Sequence, residues 1–456
     1  MRMLTRLFGT VLVFGLVVVL GWPAPAAAHG GADTDDVRLA QTIGSVELTV
    51  VIRYARQVPG PLYVDVIAHQ PVRDLAVGLA VGPGTGQRAS TGTVHLVQAR
   101  AGTYPSTLRV TQTGAHELEL RAGAERSILP FRVLRPRVAP WVLAGHVAFG
   151  VAALLLVGAL FTAAASRRLP ATALGGGAVV ALVVAFTVAV MSAQLPPVPP
   201  DGAAAAVRAA GTVPAGRPYV EPVVGTDPAV PRAGEEFTLR LDLFDGATGR
   251  PVDDLVPHHA ALGHLVVTSQ DGGFFRHAHP LRTAAGRLAV GLRVDRPGRY
   301  LAAVEVERLD SGAQLLTGEF TVAGEARAGT AVPEAGVVVT TSPQRPVVGR
   351  PTLVEVDTGH ADLQSWLGMA GHLIVRNQRG DFLGHVHESG SMAMAMAMSG
   401  TGQAPDDTVG GYGPRLRFTF SFPAPGRYLA WTQYVRNFEI VTVPFVVDVV
   451  PGPGAA

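Results

Sequence analysis

The sequence predicts a mainly β chain interrupted by two membrane-length helices, and three observations predict it. The 456 residues include 54 glycines and 35 prolines, a composition suited to many short strands joined by turns. Two uninterrupted apolar stretches, 141–165 and 171–193, each exceed the roughly 20 residues that cross a bilayer. After them, a segment of about 100 residues occurs twice.

The length allows two or three domains. The net charge is +2, only 16% of residues are charged, and the arginines are scattered, so no nucleic-acid partner is expected. Cysteine is absent, which excludes every cysteine-based metal site or nucleophile.

Residues 1–28 read as a secretory signal: Arg2 and Arg6, an apolar run from Leu12 to Leu20, then Ala26-Ala27-Ala28 as a small-residue cleavage site. Residues 29–138 form a first β-sandwich, carried by alternating stretches such as 46–52, 62–66 and 116–120. His69, His95 and His116 lie alone in it and read as ordinary strand or loop histidines. The transmembrane helices are expected at 139–165 and 171–193. Arg167 and Arg168 mark the 166–170 loop as cytoplasmic, so the chain runs out, in, out. A Pro/Ala/Gly-rich linker follows at 194–227. The two repeats then occupy 228–324 and 333–450, with 325–332 between them. Both carry Pro-Gly-Arg-Tyr-Leu-Ala, from Pro297 and from Pro425, and both close on a strand ending in phenylalanine, Phe320 and Phe445. Short strands and turn signals at this length give three antiparallel Ig-like β-sandwich domains, the last two a tandem repeat.

The chemistry concentrates in one hairpin, present in both repeats. The first copy reads Gly263-His264-Leu265-Val266-Val267, then Phe275-Arg276-His277-Ala278-His279-Pro280. The second, 108 residues later, reads Gly371-His372-Leu373-Ile374-Val375, then Leu383-Gly384-His385-Val386-His387-Glu388. Turns at Asp271-Gly272 and Arg379-Gly380 place His264 opposite His279 and His372 opposite His387. Residues i and i+2 share a strand face, as do directly opposite residues. His264, His277 and His279 therefore converge, as do His372, His385 and His387, while Leu265, Val267, Leu373 and Val375 face a core. Three convergent imidazoles form a cage for zinc or copper. A single bulge would flip half of this register.

The second repeat carries about 20 extra residues, including Met392, Met394, Met396 and Met398 at alternate positions. An extended run puts the four thioethers on one side, and thioethers select Cu(I) over zinc. Met369 is a further soft donor near His372, and the first repeat has His258 and His259 in the corresponding region. Cleavage after Ala28 would expose His29 as an N-terminal residue able to chelate Cu(II) through its amine and ring.

On the Gly-His strand, the His-x-His-Pro strand and the later Pro-Gly-x-Tyr, the chain resembles exported Ig-like β-sandwich domains associated with metal handling, often copper. The N-terminal part resembles CopC-type or FixH/YtkA-like copper-associated sandwiches. The Met-rich loop is similar in kind to those of copper-resistance proteins. The resemblance implies a membrane-anchored extracytoplasmic protein that binds or delivers copper, with zinc as the alternative metal and a metal-handling protein as a possible partner. It implies no enzyme. The metal reading expects the imidazoles to lie close together and within reach of solvent. The competing reading is a tandem Ig-like binding or structural module whose histidines only pack. A three-His enzyme is a third reading, invited by His385-Val386-His387-Glu388, but Glu388 would face away from His387 on a regular strand.

Overall fold

The computed structural model describes residues 36–452 apart from 70–72, 85, 136, 193, 196–197, 204–218, 310, 327–335 and 392–405. The expected signal at 1–28, His29, Met392, Met394, Met396 and Met398, and much of the linker lie outside the described residues.

Alternation of apolar and polar residues builds the strands. In Glu236–Asp245, for example, Phe237, Leu239, Leu241 and Leu243 are buried in turn. The first sandwich contains β1 (Val37–Ile43), β2 (Val46–Ile52), β3 (Gly60–His69), β4 (Leu75–Pro83), β5 (Ser90–Leu96), β6 (Gly102–Val110), β7 (Gly114–Ala122) and β8 (Glu125–Val133). Its antiparallel sheets run β1-β2-β3-β6 and β5-β4-β7-β8. Between them lies a core of Leu48, Val64, Leu79, Leu118 and Leu129, which Leu262 and Leu281 of the first repeat join.

Two helices follow, α1 (Pro140–Ala164) and α2 (Arg168–Ser192). Both are long and apolar enough to cross a membrane. Their buried residues are small, Gly145, Ala152 and Ala159 on α1 and Ala178 and Ala185 on α2. Leu154, Leu160, Phe161 and Phe186 point outward. Small residues inside and large apolar residues outside suit a hairpin in lipid. α2 begins three residues before the predicted 171, because Pro170 falls in its first turn, where the missing N–H has no intrahelical partner to lose. The ends of the hairpin are tied together: Arg135 and Asp201 exchange backbone hydrogen bonds of 3.0 and 2.9 Å and form an ion pair at 2.8 Å. The first sandwich and the segment entering the repeats therefore meet at one end of the hairpin.

The first repeat contains β9 (Val220–Asp227), β10 (Glu236–Asp245), β11 (Leu255–Val256), β12 (His264–Ser269), β13 (Phe275–Ala278), β14 (Leu281–Ala284), β15 (Arg287–Arg293), β16 (Gly298–Arg308) and β17 (Gly312–Val322). They form the sheets β14-β15-β10-β9 and β11-β16-β12-β13, with β17 also on β16. The second repeat contains β18 (Val338–Ser342), β19 (Pro351–Asp357), β20 (Leu363–Gln364), β21 (His372–Asn377), β22 (Leu383–His387), β23 (Gly410–Tyr412), β24 (Arg415–Ser421), β25 (Gly426–Arg436) and β26 (Glu439–Val449). They form β18-β19-β24 and β22-β21-β25-β20-β23, with β26 on β25. In each sandwich one tyrosine hydroxyl donates to the carbonyl four residues upstream: Tyr104 to Arg100 at 2.7 Å, Tyr300 to Arg296 at 2.7 Å, Tyr428 to Ala424 at 2.9 Å. The same kind of upstream bond makes the tyrosine corner of Ig-like folds, and it accounts for the repeated Pro-Gly-Arg-Tyr.

Candidate metal centre

Each histidine hairpin forms one edge of a repeat's larger sheet, β12-β13 in the first and β21-β22 in the second. In the second, His372 pairs with His387 and Ile374 with His385. In the first, Leu265 pairs with Ala278 and Val266 with His277. The turn is a four-residue loop rather than the expected two-residue one. Gly272 N–H donates to Ser269 O at 3.0 Å, Ser269 N–H donates to Phe274 O at 3.1 Å, and Gly272 takes φ 76°. The register survives because the longer loop keeps the same centre.

His264, His277 and His279 converge, with one ring nitrogen from each within 4.8 Å of the others. His264 Nδ1 lies 3.4 Å from His277 Nε2 and 3.2 Å from His279 Nε2. Two donors on one tetrahedral ion, at zinc–imidazole bond lengths, are separated by about 3.3 Å. The outer nitrogens all face acceptors. His264 Nε2 donates to His258 O at 3.0 Å, His277 Nδ1 to Gln433 Oε1 at 2.8 Å, and His279 Nδ1 to Glu47 Oε1. A neutral imidazole has one N–H. With it committed outward, each inner nitrogen presents a bare lone pair to the other two. That arrangement repels itself unless a cation sits within it, and outward hydrogen bonds of this kind orient metal-binding histidines.

The second triad repeats the plan with a difference. His372 Nδ1 lies 3.2 Å from His385 Nε2, His372 Nε2 donates to Trp366 O at 3.2 Å, and His385 Nδ1 meets Glu305 Oε2 in a long contact of 3.4 Å. His387 Nε2 is buried with no hydrogen-bond partner. The three donors again lie within 4.8 Å of one another.

Two matching turns deliver the carbonyls of His258 and Trp366. His258 and Ala261 exchange backbone hydrogen bonds, as do Trp366 and Met369. The residues between them have positive φ: His259 45° and Ala260 59° in one, Leu367 55° and Gly368 80° in the other. This is a type I′ geometry, and a non-glycine residue held there costs on the order of 1–3 kcal/mol.

Burial governs the charge of the cluster. His264, His277, His279, His372 and His387 expose 6% or less of their surface, and the His385 side chain exposes 5%. The expected solvent access is thus corrected: the N-terminal sandwich and the second repeat pack over the first hairpin, and the first repeat packs over the second. Burial, reinforced by neighbouring imidazoles, holds His264 and His372 well below the usual histidine range and pushes His277 down to about 3 and His387 to about 2. Burial also lowers His385 to about 4, against the opposing pull of Glu305. Burial by itself would raise the Glu47 and Glu305 carboxyls. His279 and Thr42 outweigh it at Glu47, and His258 and His385 at Glu305, so both lie below the usual range. At neutral pH the rings of His264, His277, His372, His385 and His387 are neutral and the two carboxylates charged.

Several contributors escaped the sequence reading: Glu47, Glu305, Gln433 and the carbonyls of His258 and Trp366. Glu305 and Gln433 did carry a signal, each standing seven residues after the glycine of Pro-Gly-Arg-Tyr. Glu47 carried none. His259, with Nδ1 buried and unpartnered, sets its ring 4.2 Å from that of His387. Met369 Sδ meets Ser391 Oγ at 3.9 Å. The Glu388 carboxylate accepts Ser391 N–H at 2.6 Å, closing a local turn. His69 pairs across from Glu47 and meets Thr49 at 3.3 Å, outside both triads. His116 bonds Gly114 O at 3.1 Å.

The family described as Domain of unknown function (DUF8832) matches residues 223–326 and 332–451, just under half of the chain. Its two matches fall one on each repeat. No curated protein matches the chain. Among solved structures, the chain is similar to a tetra-tandem repeat from the extending region of a large adhesion protein, at 8% identity over 91% of this chain and 74% of that one, with a TM-score of 0.17. It is similar to invasin, a bacterial integrin-binding protein, at 10% identity over 89% of this chain and 60% of that one, TM-score 0.17. A two fibronectin type-III domain segment from chicken tenascin matches at 13% identity over 51% of this chain and 99% of that one, TM-score 0.16. Less than two thirds of the invasin structure is spanned. At these scores the likenesses carry no argument, and the Ig-like architecture rests on the chain's own sheets.

Proposed function

We propose that the protein is a membrane-anchored, extracytoplasmic metal-binding protein that holds two ions, one in each histidine triad, and that the metal is copper in preference to zinc. One observation carries the reading: in each triad three imidazoles meet at metal-donor spacing, and at the first all three outer nitrogens face oxygen acceptors. Imidazole suits both copper and zinc. Charge favours the monovalent ion. One carboxylate adjoins each triad, buried Glu47 at the first and half-buried Glu305 at the second. A monovalent ion beside three neutral rings and one carboxylate is balanced, whereas a divalent ion leaves a buried positive charge uncompensated. The alternate methionines from Met392 to Met398 would be a capture point for Cu(I) on its way to the triads. The signal-like 1–28 segment and the tied ends of the helical hairpin support placing the sandwiches outside the cytoplasm. Deep burial of the donors favours holding and handing on an ion, to a metal-handling protein, over catalysis on it.

The test is titration of the full chain in detergent with Cu(I), Cu(II) and Zn(II), beside a variant carrying His277→Ala, His279→Ala, His385→Ala and His387→Ala. Two equivalents bound by the native chain and none by the variant is the expected result. Equal binding by both would overturn the reading. Replacing Met392, Met394, Met396 and Met398 by leucine should slow Cu(I) loading and leave the two-equivalent stoichiometry intact.

A further inference from the structure

The two triads are not housed separately. The repeats face each other across a pseudo-twofold relation, and its contacts come in reciprocal pairs. The turn glycine of one hairpin receives a leucine of the other repeat: a Cβ on Gly272 would lie 2.4 Å from Leu429 Cδ1, and one on Gly380 would lie 2.2 Å from Leu301 Cδ1. Gly272 and Gly380 are equivalent positions, as are Leu301 and Leu429. Val266 and Ile374, equivalent in the two hairpins, share one buried cluster with Trp431, and Phe275 stacks on Trp431 at 4.6 Å. Arg376 reaches across to Thr268 Oγ1 at 2.6 Å and Ser269 O at 3.0 Å.

The same exchange operates at the metal donors. Glu305 stands opposite His264 on β16 of the first repeat, and Gln433 stands opposite His372 at the equivalent place on β25 of the second. Neither serves a histidine of its own repeat's triad in the hydrogen bonds described. Gln433 Oε1 accepts from His277 Nδ1 at 2.8 Å, in the first repeat, while Glu305 Oε2 meets His385 Nδ1, in the second. Gln433 is itself fixed, its Nε2 donating to Thr442 Oγ1 at 2.9 Å, so its oxygen faces the imidazole. Rings of different triads approach as closely as rings within one, 5.2 Å for His264 and His385 and 5.5 Å for His277 and His385, against 4.9 to 5.6 Å within the first triad.

Resting on the metal-binding reading above, we propose that Glu305 and Gln433 are exchanged positioning residues: each repeat supplies the acceptor that orients the middle histidine of the other repeat's metal site, so the pair works as a single two-ion unit. Acceptors behind metal-binding histidines are worth about tenfold to a hundredfold in affinity, and here that contribution crosses the boundary between repeats.

The experiment uses the full chain in detergent and Cu(I) with a competing chelator. Two backgrounds isolate the sites: His385→Ala with His387→Ala keeps only the first, and His277→Ala with His279→Ala keeps only the second. Gln433→Leu should weaken the first site about tenfold to a hundredfold and leave the second within about threefold. Glu305→Leu should do the reverse. The site each variant leaves intact serves as its folding control. Gln433→Glu, which restores an acceptor, should rescue the first site, as a purely structural role for Gln433 would not require. Weakening confined to the site of the mutated residue's own repeat, equal weakening of both, or no effect would each overturn the exchange while leaving metal binding in place. Absence of Cu(I) binding in the native chain would instead overturn the function on which the exchange rests.

Discussion

The two triads share one hairpin, one spacing and one turn, yet they are finished differently. At the first, all three outer nitrogens are engaged, the last by Glu47 from the N-terminal sandwich. That sandwich also joins the first repeat through Ala40 N–H to Ala260 O at 2.7 Å, Thr42 N–H to His279 O at 2.8 Å, and His279 N–H to Thr42 Oγ1 at 2.7 Å. At the second, His387 Nε2, the atom equivalent to the inward-facing Nε2 of His279, is buried without a partner, and the His259 ring lies beside it. The N-terminal sandwich reaches the second repeat elsewhere, through the Arg38–Asp407 ion pair at 2.9 Å, which also engages Ser365. The comparison teaches that a duplicated ligand set does not make duplicated sites. The surroundings, drawn from other domains, set how firmly each ring is held. The first site is expected to bind more tightly than the second.

The comparison can be broken most forcefully at the ligands. His277→Ala with His279→Ala should remove the tighter of two bound equivalents, and His385→Ala with His387→Ala the weaker, read by metal stoichiometry and chelator competition. Loss of both equivalents from either pair of changes would mean a single shared site. The next effect is expected at Glu47. Glu47→Leu removes the acceptor for His279 Nδ1 and the charge beside the first triad, and should weaken that site about tenfold to a hundredfold while sparing the second. Equal binding before and after would show that the N-terminal sandwich covers the site without tuning it.

A stability effect should follow from Gly380→Ala. The new methyl would meet Leu301, and the backbone there has φ 82°, so a loss of about 1–3 kcal/mol is expected in denaturant unfolding. An unchanged midpoint would argue against the reciprocal packing of the repeats. The smallest effect is expected from His259→Leu, which copies Leu367 of the second repeat into the equivalent turn. The second site should change by no more than about threefold in affinity, the size of a weak packing contact. A larger loss would make His259 a fourth ligand.

Much of this was legible in the sequence, and the exceptions have a common cause. The six histidines and their register could be read because a strand hairpin is local: its period and its turn fix which side chains share a face. Strands such as β2, β3 and β7 were equally open to reading from alternation. The side-chain acceptors were harder to read, because they arrive from far away, Glu47 across 232 residues and Gln433 across 156. The burial of the triads was missed for the same reason. Each hairpin taken alone has an open histidine face, and only the packing of three sandwiches closes it. The junction shows this in Ala40, Ala261, Trp366 and Val435, one buried cluster drawn from all three. The turn at Asp271-Gly272 is longer than the two residues its sequence suggests, with Gly272 taking positive φ as the third residue of a four-residue loop.

The most direct test of the central claim is X-ray absorption spectroscopy of the full chain loaded with Cu(I). The triads predict a first shell of about three imidazole nitrogens per copper, with the multiple scattering of histidine rings and no sulfur. A shell dominated by sulfur would place the metal on the methionines instead and contradict the histidine triads as the sites.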